Sequence, residues 1–130
     1  MSGVETATAA LREAIELLST PRIMTTPAQA MSLAALSQKK RTAAFEALRS
    51  EYDWPRGSAA CLLLDQFVED MVPPPLDAEG EQLLETILAG DALSTAVSRF
   101  HGVAELPSEY AGEALEMLME PFTSLRQYRL

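Results

Sequence analysis

The sequence predicts an all-α fold of about six helices, in which a long N-terminal helical hairpin packs with shorter C-terminal helices. Three observations predict it. Apolar residues recur at three- and four-residue steps along most of the chain, the period that gathers them on one helix face. Capping hydroxyls and carboxylates, prolines and glycines divide these stripes into segments of helical length. No run alternates apolar and polar residues as a half-buried strand does, and no internal repeat is visible.

The elements follow in order. Ser2 and Glu5 have capping-box spacing, and Val4, Ala7, Leu11, Ala14 or Ile15, and Leu18 form a stripe of about four turns that Pro21 ends. Thr26-Pro27 opens a second helix, a capping hydroxyl followed by a first-turn proline. It runs to about Tyr52 with an expected seam of Met31, Leu33 or Ala34, Gln38, Thr42, Phe45, Leu48 and Tyr52. The basic trio Lys39-Lys40-Arg41 beside that seam is expected on the wet face, or paired with the acidic half of the same chain. Asp53-Trp54-Pro55-Arg56-Gly57 reads as a turn. Ser58 caps a third helix with Leu63, Leu64, Phe67, Val68 and Met71 on its apolar face, and Val72-Pro73-Pro74-Pro75 imposes a rigid extended corner. Asp77 caps a fourth helix carrying Leu83, Leu84, Ile87 and Leu88, with Gly90 at its stop. Asp91 caps a short fifth, with Leu93, Ala96, Val97 and Phe100, expected to stop at Gly102. Pro107-Ser108 opens a sixth that reaches about Glu120, and the tail PFTSLRQYRL adds one or two helical turns.

A length of 130 residues suits a single helical domain, 1–130, able to bury a core without staples. Its expected sub-parts are a near-neutral hairpin, 1–56, and an acidic part, 57–130. Residues 1–56 carry seven basic and six acidic side chains, a net +1. Residues 57–125 carry thirteen acids and one base, Arg99, a net −12, and the last five residues restore +2, giving −9 overall. A −12 segment repels phosphate backbones, so direct nucleic-acid binding is not expected, whereas a basic protein surface would be attracted. The single cysteine, Cys61, has no internal disulfide partner, sits in the apolar run ACLLL and is expected to be a buried small hydrophobe, as a reducing, cytoplasmic setting allows. No signal-like segment opens the chain and no apolar run approaches the ~20 residues that span a bilayer, so no membrane is expected.

A helix-turn-helix reading of 88–106 fits only in part. With Gly102 at the turn, Ser98 and Val103 suit the motif, but His101 and Ser108 fall where apolar side chains are wanted. The second helix would also present Glu109 and Glu113 to DNA with no basic residue. The stretch is better read as helix stop, short helix, helix stop, with His101 near a helix C-terminus whose dipole favours a cation.

One constellation stands out. Glu109, Glu113, Glu116 and Glu120, spaced 4, 3, 4, fall on one narrow arc of the sixth helix, opposite Ala111, Ala114, Leu115 and Leu118. No lysine or arginine interrupts the row. It is either a solvated face or a row of carboxylates that docks a basic groove or mimics a phosphate track. Trp54 carries two expectations: exposed, it anchors a partner; folded back, it plugs the end of the hairpin. Met117 and Met119 suit either a core or an adaptable partner surface. Catalysis finds little to work with. The only Cys–His combination is Cys61 with His101, the acids lack the histidines typical of zinc sites, and no EF-hand spacing or glycine-rich phosphate loop occurs. No catalytic residue, metal or cofactor is expected.

Residues 32–52, SLAALSQKKRTAAFEALRSEY, resemble the second helix of FlgN-like flagellar export chaperones in their small apolar residues around a lysine. The likeness departs after Gly57, and no function is carried over from it. The expected function is a non-enzymatic helical protein-binding module: an adaptor, a secretion-type chaperone or an inhibitor. The alternatives are an acidic nucleic-acid mimic that occupies the basic channel of a DNA- or RNA-binding protein, and, less favoured, a helix-turn-helix-like regulator. The near-heptad stripe of the first helix also leaves a homodimer open.

Overall fold

The computed structural model describes residues 2–19, 26–54, 60–72 and 75–130. Within them lie six α-helices: α1 Gly3–Leu18, α2 Pro27–Tyr52, α3 Ala60–Met71, α4 Ala78–Ala89, α5 Ala92–Ala104 and α6 Ser108–Met119. A 3-10 helix, Glu120–Tyr128, follows. The all-α architecture, the helix number and the paired N-terminal helices are those the sequence predicts. The expected stop at Pro21, the cap at Ser58, most of the turn after Trp54 and two of the three corner prolines lie outside the described residues.

Capping side chains set three of the helix starts. Ser2 Oγ accepts from the Glu5 N–H at 3.1 Å. At α2, Thr26 Oγ1 accepts from the Gln29 N–H while Gln29 Oε1 accepts from the Thr26 N–H, a full capping box behind Pro27. Asp77 caps α4 by accepting from the Gly80 N–H at 2.8 Å. Asp91 differs from its expected role. It lies in helical geometry, φ −88° and ψ −4°, instead of the extended geometry a cap adopts, and makes no capping bond. The stop at Gly102 is likewise corrected: α5 continues to Ala104, carrying Val103 into the core at 7% exposure.

α1 and α2 form an antiparallel hairpin. Glu51, near the end of α2, accepts from the Gly3 N–H at 3.0 Å, Lys40 pairs with Glu13 at 2.6 Å, and Ser37 Oγ donates to the Ala14 carbonyl at 3.1 Å. Gly3 permits the close start, since a Cβ there would sit 2.7 Å from the Ala47 carbonyl oxygen. The stripe of α1 is spent inside the chain: Ala7, Leu11, Ala14 and Ile15 are all fully buried, so a dimer through that stripe is not available.

The seam of α2 differs from the expected one. Its buried residues are Ser37, Arg41, Ala44, Phe45 and Leu48, while Met31, Gln38 and Thr42 are exposed. The reason is polar. Arg41, 7% exposed, donates from Nε to Asp65 Oδ1 on α3 at 2.9 Å, from Nη1 to Ser37 Oγ at 2.7 Å, and from Nη2 to Gln38 Oε1. A hydrophobic pattern cannot register a seam whose first two buried residues are a serine and an arginine. Of the basic trio, Arg41 and Lys40 are thus paired within the chain.

One continuous apolar cluster joins residues of all six helices and the 3-10 helix. An aromatic chain crosses it: Phe45–Trp54 at 6.0 Å between centroids, Trp54–Phe100 at 5.7 Å, then Phe100–Phe67 and Phe67–Phe122 at 6.1 Å each. The tail is longer and more embedded than one or two turns. Phe122 and Leu125 are buried, and an antiparallel bridge joins Leu76 to Arg129, with the Asp77 N–H donating to the Tyr128 carbonyl at 2.8 Å. Among the described residues no helix is long and apolar enough to cross a membrane.

Candidate functional site

α6 packs through Ala111, Leu115, Leu118 and Met119, all buried, with Ala114 half-buried. That fixes the outward face. Glu109, Glu113, Glu116 and Glu120 are all exposed, Glu120 as the first residue of the 3-10 helix. The structure therefore brings the four carboxylates onto one solvent-facing row. None of them belongs to the ion pairs found among the described residues, Lys40–Glu13, Arg41–Asp65 and Arg49–Glu46.

The row has an apolar edge that the sequence pattern had not distinguished. Tyr110 is 56% and Met117 76% exposed. Seven residues apart, they lie about 20° from each other and about 80° from the centre of the acidic row, so they form a strip alongside it. Met117 also lines a groove of about 490 Å³ between α5 and α6, together with Arg99, Asp91 and Glu120. On the other flank, Glu116 and Arg126 line a groove of about 430 Å³ between α3 and α6, with Gln66 and Asp70. The two methionines of α6 divide: Met119 is core and Met117 is surface. The available signal was the angle of Met117 and Tyr110 away from the buried stripe.

Trp54 is placed elsewhere. At 3% exposure it is folded back over the end of the hairpin, the second of its two expected positions, and offers little surface to a partner. Its Nε1–H donates to His101 Nδ1 at 2.8 Å, and Tyr52 stacks on the same imidazole at 4.2 Å between ring centroids. His101 therefore acts as an acceptor to a buried indole, holding α2 against the last turn of α5. Gly102, the residue on which a helix-turn-helix would bend, lies inside α5, and the chain turns at Glu105-Leu106-Pro107 instead.

The remaining chemistry-bearing residues do not converge. Cys61 is half-buried, not the fully buried hydrophobe its apolar run suggests, and its pKa is raised by burial and by the nearby Asp65 and Glu46 carboxylates, so the nucleophilic thiolate is disfavoured. Among the described residues no three His, Cys, Asp or Glu side chains are grouped as metal ligands. A third groove, about 510 Å³ between α1 and α4, holds Arg12 among Glu16, Glu81 and Glu85. There Arg12 Nη2 donates at 2.7 Å to the Leu88 carbonyl in the last turn of α4, which satisfies a helix end. Compared with protein-family models, curated proteins and solved structures, the chain matches none.

Proposed function

We propose that this chain is a non-enzymatic helical protein-binding module, acting as an adaptor, chaperone or inhibitor in a reducing, cytoplasmic setting. Its partner is a protein with a basic surface, and the outer face of α6 is the contact. One observation carries the reading: four exposed carboxylates, uninterrupted by any base, run beside the exposed pair Tyr110 and Met117. The carboxylates steer and align a cationic partner. Tyr110 and Met117 supply the apolar contact that long-range charge lacks, and methionine adapts its shape to what it meets.

The same row supports a second reading, an acidic mimic that occupies a nucleic-acid channel. The two differ in which strip holds the partner. Partner capture by the tagged chain at low and at high salt separates them, using two variants. One replaces Glu109, Glu113, Glu116 and Glu120 with glutamine; the other carries Tyr110→Ala and Met117→Ala. An adaptor keeps its partner in high salt and loses it with the apolar variant. A mimic releases its partner in high salt and loses it with the glutamine variant. Equal capture by all three proteins would remove the α6 face from consideration.

A further inference from the structure

His101 and Trp54 are the only histidine and the only tryptophan of the chain, and they are bonded to each other. The two rings meet edge to edge. Their planes differ by 9°, their centroids stand 6.2 Å apart, and Trp54 Nε1 lies 2.8 Å from His101 Nδ1. An imidazole nitrogen accepts only while it carries no proton, so this bond places the ring hydrogen on Nε2 and requires the neutral ring. Trp54 is buried, and among the described residues His101 is the one acceptor for its indole N–H.

Tyr52 approaches the same imidazole differently. It lies face to face, 4.2 Å between centroids and 17° between planes. A protonated imidazole keeps that contact, because an aromatic face attracts a cation. It also keeps its place in the last turn of α5, where the helix dipole favours a cation. The contact that protonation removes is the one with the indole. Nδ1–H then points at Nε1–H, donor against donor, and a buried donor is left without a partner.

Among the described residues no carboxylate forms an ion pair with His101 that would offset this conflict. The charged groups around it are exposed: Asp53 beside Tyr52, and Arg99 and Glu105 on α5. The two helices packed on α5 toward this end add only the exposed first-turn acids Glu5 of α1 and Glu109 of α6. α4 joins α5 at its opposite end, through Gly90 and Asp91.

We propose that the Trp54–His101 pair is an acid-operated latch. Protonation of His101 releases the indole from the last turn of α5, while Tyr52 retains the imidazole. Closed, the latch keeps Trp54 as the plug at the end of the hairpin; open, it turns the same ring out to solvent. It is closed near pH 8 and opens on the way to about pH 5, the interval in which histidine changes charge. The latch is separate from the α6 face, and neither depends on the other.

The test uses the full chain, in which the sole tryptophan reports on the sole histidine. Acrylamide quenching of Trp54 fluorescence, read from about pH 8 to about pH 5, measures exposure of the ring. In the wild type the quenching constant is expected to rise severalfold in a single-site transition, with helix content by circular dichroism unchanged. His101→Asn supplies an acceptor that does not titrate and holds the low value throughout. His101→Phe keeps the stack without an acceptor and holds the high value throughout. In the wild type alone, protection of the indole N–H against hydrogen exchange, corrected for the intrinsic effect of pH, falls with the same midpoint. Wild-type quenching that stays flat, or an indole N–H that stays protected, overturns the proposal. So does an equal rise in His101→Asn, which would assign the change to the carboxylates.

Discussion

Arg41 sets the register of α2 with one planar group. Its guanidinium makes three directed bonds, to Asp65, Ser37 and Gln38, that a lysine ammonium cannot reproduce together. Arg41→Ala leaves the Asp65 carboxylate, about a quarter exposed, without its cation. A loss of about 2–3 kcal/mol in urea unfolding is expected, below the full cost of stripping a wholly buried pair, and Arg41→Lys should recover less than half of it. Cys61 gives a second test at this scale. Its neutral thiol is the favoured form in the folded chain, so the thiolate appears at higher pH than in the unfolded chain. Alkylation by iodoacetamide at pH 8–9 should therefore be slower in native protein than in urea, and should rise only as pH passes above the usual cysteine range. Native rates equal to unfolded rates would show that burial and the two carboxylates do not act on the thiol.

At the scale of elements, two glycines with opposite surroundings make a matched pair. A Cβ on Gly80 would stand 2.5 Å from Tyr128 Cβ, so Gly80→Ala must push the C-terminal 3-10 helix off α4. A cost of about 1–3 kcal/mol is expected, with loss of amide protection at Asp77, whose N–H donates to Tyr128. Gly102 faces open space within helical backbone. Gly102→Ala should therefore stabilise by about 0.5–1 kcal/mol through helix propensity alone. Had Gly102 been the left-handed stop its sequence context suggests, the same substitution would cost stability, so thermal denaturation of the two variants tests where α5 ends. Caps were legible for the same local reason that made this stop misleading: Thr26 and Asp77 act on an amide three residues away, whereas Gly102 is overruled by the distant partners that bury Val103.

Across the whole molecule, charge is distributed unevenly. Among the described residues of the hairpin four of the five bases are engaged, Lys40, Arg41 and Arg49 in ion pairs and Arg12 on a helix end. Of the thirteen acids of residues 57–125 only Asp65 belongs to an ion pair among the described residues, and the net charge of the chain is −9. Self-repulsion of this kind is screened over about 8–10 Å at physiological salt. The melting temperature should rise from near-zero salt to ~0.15 M sodium chloride, and replacing the four α6 glutamates with glutamine should both raise it and reduce its salt dependence. A melting temperature that falls with salt would mean that the ion pairs outweigh the repulsion.

Sequence alone determined the helical class, most helix starts and the position of the acidic row on one arc of α6. Each of these rests on contacts within about four residues, which a local pattern records. Tertiary structure decided the rest. The seam of α2 turns on an arginine whose partner lies on α3. Trp54 is buried where His101, 47 residues on, accepts a hydrogen bond from its indole N–H. Met117 and Met119, two residues apart in similar surroundings, part into surface and core by which side of α6 meets its neighbours. Even the exposed start of α2 reads in sequence as an ordinary apolar stripe. Its exposure goes with the hairpin register, in which Ser37 stands beside Ala14 and α1 ends at Leu18, and that is a property of packing.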